Sequence, residues 1–338
     1  MIRIAVLGCG RIGAMHAANI AAHPSARLPA VQDINGAAAQ AVAASTGARV
    51  MNTAAEVFSS PDVDAVLIAT ATDTHADLLE QAVAAGKPVL CEKPIDLSLA
   101  RVNRCAAVIR GANVPIQLGF VRRFDPGHKA VHDAVRAGDI GVLHQVVITS
   151  RDPGLAPEAY LKVSGGIFRD MTIHDFDMAR YILGEEPEIV FATGSRLVAP
   201  ALMEKLGDFD TVTVVMTTAS GKQAIITNSR EALYGYDQRV EAFGSKGMAV
   251  SENRRPNLML LSGKGFSNHA APLLHFFIER YREAFDAEID AFVKAVETRQ
   301  PAVVGFEDGR RALALAEAAL KSIAEGRAVK VSEVDRNV

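Results

Sequence analysis

Residues 4–13 read Ile4-Ala5-Val6-Leu7-Gly8-Cys9-Gly10-Arg11-Ile12-Gly13, an apolar run that passes straight into a G-x-G-x-x-G. A short apolar run closed by glycine predicts a buried strand, Ile2–Leu7, and the pattern after it predicts a helix over Gly13–Ala22. In such a strand–turn–helix the first glycine permits the tight turn, and the second lets the backbone approach a pyrophosphate. The third allows close helix–strand packing, with the phosphate charge at the helix N-terminus. The motif alone is an ordinary glycine turn; its context makes it a dinucleotide site. Asp33 stands twenty residues beyond Gly13, just after the next apolar run, Leu28–Val31. A carboxylate there accepts hydrogen bonds from an adenosine ribose and repels a 2′-phosphate, which favours NAD over NADP. Gly8, Gly10, Arg11, Ile12, Gly13 and Asp33 are therefore cofactor-binding candidates.

The same alternation continues to residue 120. Helical patterns at Ala37–Ser45, His75–Ala85 and Leu99–Ile109 separate apolar runs at Ala65–Ala69, Val89–Cys91 and Ile116–Leu118. These are βαβ units, and strands apolar on both faces predict a parallel sheet covered by helices on each side. From about residue 125 the rhythm changes. A helix at Gly127–Arg136, a β-rich run at Val142–Ser150 and a helix at Thr172–Leu183 precede a succession of strands. These are Glu188–Gly194, Thr211–Thr218, Lys222–Ser229, Arg239–Phe243, Met248–Ser251 and Leu258–Leu261. Strands in sequence without intervening helices predict a mostly antiparallel open sheet. The expected organisation is a Rossmann-type α/β domain over 1–120 and an α+β substrate and oligomerisation domain over 121–338. The helices predicted at Phe276–Glu297 and Asp308–Ala324 are left free to pack on either domain.

Bulk composition narrows the function classes. At 338 residues the chain exceeds what one hydrophobic core usually supports, so two domains are expected. A hydrophobic content of 49% with 22% charged residues is an ordinary globular mixture. A net charge of −3 supplies no field for nucleic acid or an anionic membrane, and the densest basic sites, such as Arg122-Arg123 and Arg310-Arg311, are only dipeptides. No apolar run approaches the roughly 18 residues of a membrane span. Opening on a strand, without the basic and apolar stretches of a secretory leader, the sequence is expected to be cytoplasmic. The three cysteines, Cys9, Cys91 and Cys105, lack metal or redox spacing and are expected to be small buried side chains.

The run Cys91-Glu92-Lys93-Pro94 falls at a strand end, where parallel sheets bind their ligands. The second distinctive stretch is Gly165-Gly166-Ile167-Phe168-Arg169-Asp170-Met171-Thr172-Ile173-His174-Asp175-Phe176-Asp177. On one continuous helix Asp170 and His174, four apart, would share a face. The plainer reading is an acid favouring a helix N-terminus and a solvent-facing histidine. Together the two stretches resemble the Gfo/Idh/MocA oxidoreductases. The segments Gly119-Phe120-Val121-Arg122-Arg123-Phe124-Asp125-Pro126, Ser150-Arg151-Asp152-Pro153 and Tyr234-Gly235-Tyr236-Asp237-Gln238-Arg239 resemble the family's inositol 2-dehydrogenase branch. The likeness covers nearly the whole chain. One departure is Ala71, where many relatives carry proline.

The resemblance implies NAD-dependent oxidation of a secondary alcohol of a cyclic polyol, myo-inositol to its 2-keto product first among the candidates. Alternatives are another inositol isomer or an aldose, an NAD-dependent glycosidase, and an NAD sensor without turnover. It implies that Lys93, Asp170 and His174 are catalytic, that Thr70, His75, Glu92 and Lys93 join the cofactor site, and that the enzyme is a homotetramer. A neutral alcohol is a poor hydride donor until its oxygen gains charge, so a base is required. His174 is the expected base, since an imidazole titrates near neutrality. Asp170 would orient and stabilise it, and Lys93 would stabilise charge on the reacting oxygen. Hydroxyl recognition needs directional polar partners, for which Arg122, Asp152, Asp175 and Tyr236 are the candidates. Each has a plain alternative: surface ion pair, turn residue, helix-surface charge and sheet cluster. His128 and His132, four apart, lack a third metal ligand and are read as part of an exposed amphipathic helix; no metal is expected.

Overall fold

A computed structural model describes residues 1–335. The chain forms two compact units: Met1–Phe124 with Glu283–Leu313, and Asp125–Arg282 with the segment from Ala314 onward. Of the C-terminal helices left free to pack on either domain, the segment Glu283–Leu313 falls in the first unit.

In the first unit the sheet runs Arg49–Val50, Ala30–Gln32, Ile2–Leu7, Ala65–Ile68, Val89–Cys91 and Ile116–Leu118, with Ala26–Arg27 also beside Ile2–Leu7. Every pairing is parallel. Ile4, Ala5, Val6 and Leu7 are wholly buried, which is what a continuously apolar strand achieves only when both its faces are covered. The strand expected at Leu28–Val31 is split into Ala26–Arg27 and Ala30–Gln32. Pro29 lacks the N–H a central ladder needs, so the chain jogs there. From Ile2–Leu7 the strands proceed first to one side and then to the other. Gly8 sits at the carboxyl end of that strand, the switch point where open α/β sheets take ligands. One face is sealed by the helix Arg282–Thr298, whose Ile289, Phe292 and Val293 pack with Ile4, Val6, Leu67 and Leu90.

The second unit contains a seven-stranded sheet ordered Gly247–Ser251, Asp237–Gly244, Leu143–Arg151, Gln223–Ser229, Thr211–Thr218, Pro187–Ser195 and Val329–Lys330. All pairs are antiparallel except Leu143–Arg151 with Gln223–Ser229, so the sheet is mixed with one parallel step. Its strands alternate: Val146, Ile148 and Ser150 are buried while Gln145 and Val147 are partly exposed. The helix Thr172–Leu183 packs on the buried side against Leu143–Arg151 and Gln223–Ser229. The strand expected at Leu258–Leu261 is instead Leu260–Gly263, paired with Phe266–Ala270 in a separate two-stranded ribbon. The Gly263-Lys264-Gly265 turn makes its nearest partner local, so it never reaches the main sheet.

Candidate active site

The cofactor cradle lies in the first unit and follows from three glycines with three different surroundings. Gly8 has φ +91°, and a Cβ there would lie 2.3 Å from the Ala69 carbonyl oxygen. A Cβ on Gly13 would lie 1.9 Å from the Gly8 oxygen, so the helix Arg11–Ala22 packs against the turn only because that position is bare. Gly10 differs: nothing stands within 4 Å of where its Cβ would be. Its bareness serves no contact within the protein and leaves room for an external group at the N-terminus of the helix. The Asp33 carboxylate accepts the Cys9 N–H at 2.6 Å and the Asn35 N–H at 2.7 Å, which fixes the acid against the glycine turn. Burial, and then the charge of Asp33, push the Cys9 thiol up to about 11, so this cysteine adds no negative charge to a phosphate site. A glycine cradle closed by an acid fits a dinucleotide.

Glu92 and Lys93 follow the strand Val89–Cys91, and the Lys93–Pro94 peptide is cis. Glu92 Oε1 pairs with His16 Nε2 at 2.9 Å. Burial works to raise the Glu92 carboxyl, but the His16 hydrogen bond and the charges of His16 and Lys93 hold it below the ordinary glutamate range. His75, expected at the cofactor, joins two loops: Nδ1 lies 2.9 Å from the Pro94 carbonyl and Nε2 3.1 Å from that of Thr70. Thr70 is further tied through its hydroxyl to Thr74 at 2.7 Å. A partner absent from the sequence reading is Glu288, fully buried on the helix Arg282–Thr298, with neither carboxyl oxygen hydrogen-bonded among the described residues. Burial, reinforced by the charge of Glu92, drives its carboxyl well above the ordinary range, which favours its protonated form.

The second unit carries Asp170 and His174. They do not lie on one continuous helix: Ile167–Asp170 forms a single turn, the chain breaks at Met171, and Thr172–Leu183 begins anew. Two side chains not foreseen hold Asp170. The Tyr160 hydroxyl donates to its Oδ1 at 2.6 Å, and Arg230 Nη1 to its Oδ2 at 3.2 Å. Arg230 follows the strand Gln223–Ser229, with no local pattern to announce it.

The four substrate candidates divide. Arg122 is buried in the turn Val121–Phe124, and is thus not the surface charge of the plain reading. Asp152 stays partly exposed at the end of Leu143–Arg151, its N–H donating to the Ser229 carbonyl at 3.0 Å. Asp175 is fully buried, and its two oxygens accept from Ser150 Oγ at 2.6 Å and Asn228 Nδ2 at 2.8 Å. The Tyr236 ring is buried edge-on to Phe276 and Tyr281. His128 is buried, not exposed, with Nδ1 2.9 Å from Ser251 Oγ, while His132 stacks on Tyr181 at 3.7 Å. Their partners differ because the helix Pro126–Ala137 lies partly against the strand Gly247–Ser251. Among the described residues no cluster of three or more His, Cys, Asp or Glu could hold a metal, and no helix is long and apolar enough to cross a membrane.

A doubly wound parallel sheet with this cradle and acid, joined to a mixed-sheet second unit, defines an NAD-linked oxidoreductase. The chain belongs to the Gfo/Idh/MocA oxidoreductase family: the NAD-binding Rossmann model matches residues 2–120, and the family's C-terminal domain model matches 128–250. It is 49% identical to the inositol 2-dehydrogenase of Rhizobium meliloti (strain 1021), covering 98% of this chain and 99% of that one. It is 45% identical to the myo-inositol 2-dehydrogenase of Thermotoga maritima, covering 98% and 99%. Among solved structures, the scyllo-inositol dehydrogenase of Lactobacillus casei, with bound NAD(H) and scyllo-inositol, superposes with a TM-score of 0.91 at 31% identity, covering 98% of this chain and 99% of that one.

Proposed function

We propose that this protein oxidises myo-inositol to its 2-keto product with NAD as hydride acceptor. The observation that carries the reading is near-complete coverage by relatives named inositol 2-dehydrogenase, at 49% identity, and myo-inositol 2-dehydrogenase, at 45%. The cradle and the Asp33 carboxylate support the choice of NAD.

In the proposed mechanism Gly10 and the N-terminus of Arg11–Ala22 receive the pyrophosphate, and Asp33 accepts the ribose hydroxyls. Bound NAD supplies the acceptor for the hydride leaving the alcohol carbon. His174 takes the hydroxyl proton, Asp170 stabilises the imidazolium that forms, and Lys93 donates a hydrogen bond to the reacting oxygen as it gains negative charge. Arg122 and Asp152 are the proposed hydroxyl contacts. Asp175 and Tyr236, given their surroundings, shape the site from behind.

Scyllo-inositol is the second reading, supported by a 35% identical relative from Bacillus subtilis named for it. Purified protein given NAD and, in separate assays, myo-, scyllo- and chiro-inositol and glucose decides the matter: NADH should form fastest with myo-inositol. NADH formation from none of them would overturn the reading.

We further propose a cytoplasmic homotetramer working in polyol breakdown, with no nucleic-acid or membrane partner. Cross-strand register supports the assembly. On the open face of the mixed sheet Phe191, Val215, Ile225 and Val147 lie directly side by side, one from each of four adjacent strands. Phe191 is 41% exposed at the end of this stripe. A sheet face this apolar is suited to a second copy.

A further inference from the structure

The largest fully buried side chain of the molecule is Arg230, 1% exposed. An arginine is not withdrawn from water without partners, because desolvating a guanidinium costs several kcal/mol even after relaxation. Its partners are two carboxylates of the same unit: Asp170 Oδ2 at 3.2 Å from Nη1 and Asp208 Oδ2 at 3.6 Å from Nη2. Asp208 has a second contact, since its Oδ1 accepts the Ile167 N–H at 3.0 Å. Ile167 opens, and Asp170 closes, the one-turn helix Ile167–Asp170. A single turn does not hold itself, because helix nucleation fixes several dihedrals for one hydrogen bond. Here Asp208 fixes its first residue and Arg230 its last. Tyr160 holds the other oxygen of Asp170 at 2.6 Å.

We infer that Arg230 and Tyr160 are positioning residues for the dehydrogenase reaction, gripping the two oxygens of Asp170 so that its carboxylate is oriented before substrate arrives, with Asp208 as the anchor of Arg230. The inference rests on the reading of Asp170 as a member of the catalytic set. Stability alone is a poor reason for the arrangement, since buried ion pairs are commonly replaced by apolar side chains at no loss. Geometry is a better one. The planar guanidinium is a rigid fork of donors that fixes a carboxylate's orientation, where a lysine's ammonium is a rotatable point charge, and catalytic groups misplaced by about 1 Å lose about 100-fold in rate. The side chains on Asp170 include Tyr160 and Arg230, with Asp208 on the far side of Arg230. Its neighbour Arg169 turns to Glu317 at 2.6 Å.

The test is a double-mutant cycle in the full-length protein with NAD and myo-inositol. Asp170→Asn should lower kcat by about 10³-fold or more, as loss of the orienting acid does in triad enzymes. Arg230→Lys should lower kcat by up to about 100-fold, and Tyr160→Phe by several-fold, each with the Kd for NAD unchanged. In the Asp170→Asn background neither should cost anything further, because residues acting as a unit are not additive. Arg230→Met leaves two carboxylates without their cation and should cost more kcat than Arg230→Lys, which restores part of it by keeping the charge. Tyr160 is 46% exposed, so Tyr160→Phe decides the cycle even where an Arg230 variant fails to fold. Equal losses in both backgrounds, or an unchanged kcat in Tyr160→Phe and Arg230→Lys, overturn the positioning role. Full turnover by Asp170→Asn would instead overturn the reading of Asp170 itself.

Discussion

His16 and Glu92 form a hydrogen-bonded pair at 2.9 Å behind the cofactor loop, the histidine fully buried and its ring edge-on to Phe285. Glu288, one turn along from Phe285, adds a second carboxyl to this interior. The pair keeps Glu92 charged, and the charge of Glu92 helps keep Glu288 protonated.

That division has a pH signature. Glu288 has a folded-state pKa above its unfolded one, so at intermediate pH the native state binds more protons than the unfolded state, and stability falls as pH rises. The contribution is complete below the ordinary glutamate range and is lost as pH climbs through the raised value. Glu288→Gln, neutral at every pH, should remove this slope, which is at most about 1.4 kcal/mol per pH unit. Thermal unfolding of both proteins across the neutral range checks it: the variant should gain on the parent as pH rises. Parallel curves would contradict a raised Glu288 carboxyl.

Asp33→Ala removes the acceptor of the Cys9 and Asn35 N–H groups as well as the proposed ribose contact. A charged hydrogen bond is worth about 1.5–3 kcal/mol, so NAD affinity should fall by about ten- to a hundredfold. NADP should lose less, because the repulsion of its 2′-phosphate disappears with the carboxylate. Parallel titrations of the two cofactors measure the ratio; an unmoved ratio would count against the ribose assignment.

His174→Ala and Lys93→Ala should each reduce kcat by about 10²–10⁴-fold, the usual range for a lost acid–base group, with NAD affinity near that of the parent. Stopped turnover with intact NAD binding, read by cofactor fluorescence, is the expected pattern. Full turnover in either variant would refute its role.

Asp175 should report on folding rather than recognition. Asp175→Ala strands the Ser150 and Asn228 donors in the interior, at about 1–3 kcal/mol. Thr172 also donates to Asn228 at 2.6 Å, so the start of the helix Thr172–Leu183 loosens with it. A lowered Tm with a small change in KM is expected. A KM rise of tenfold or more at unchanged Tm would return Asp175 to the substrate contacts.

Local chemistry decided what could be read in advance. The G-x-G-x-x-G, Asp33 and the alternating strands are features of neighbouring residues, and all were legible. Glu288 was half legible: it interrupts the apolar phase set by Phe285, Ile289 and Phe292, a signal passed over. Periodicity told which face of Arg282–Thr298 is apolar but not which sheet it covers, so the return of 283–313 was left open. Met171 broke an expected helical face because Asp208 and Arg230 hold the short turn from outside it. Those contacts, like Tyr160 on Asp170, join residues far apart in the chain and leave no local pattern.

The stripe Phe191–Val215–Ile225–Val147 makes assembly testable at one atom-scale point. Ile225 lies in its middle, paired with Val215 on one side and Val147 on the other. If this face meets another copy, Ile225 is buried from both sheets, a gain of about 1.5–3 kcal/mol per side chain. A glutamate there would forfeit that gain and place an unpaired charge in an apolar interface, which costs more than the isoleucine contributed. Within the single chain the same substitution is mild, because the side chain points away from the buried face of its own sheet. Ile225→Glu should therefore sediment as a smaller species while keeping the parent's far-ultraviolet circular dichroism. A variant with unchanged mass would show that the sheet face is not where the copies join.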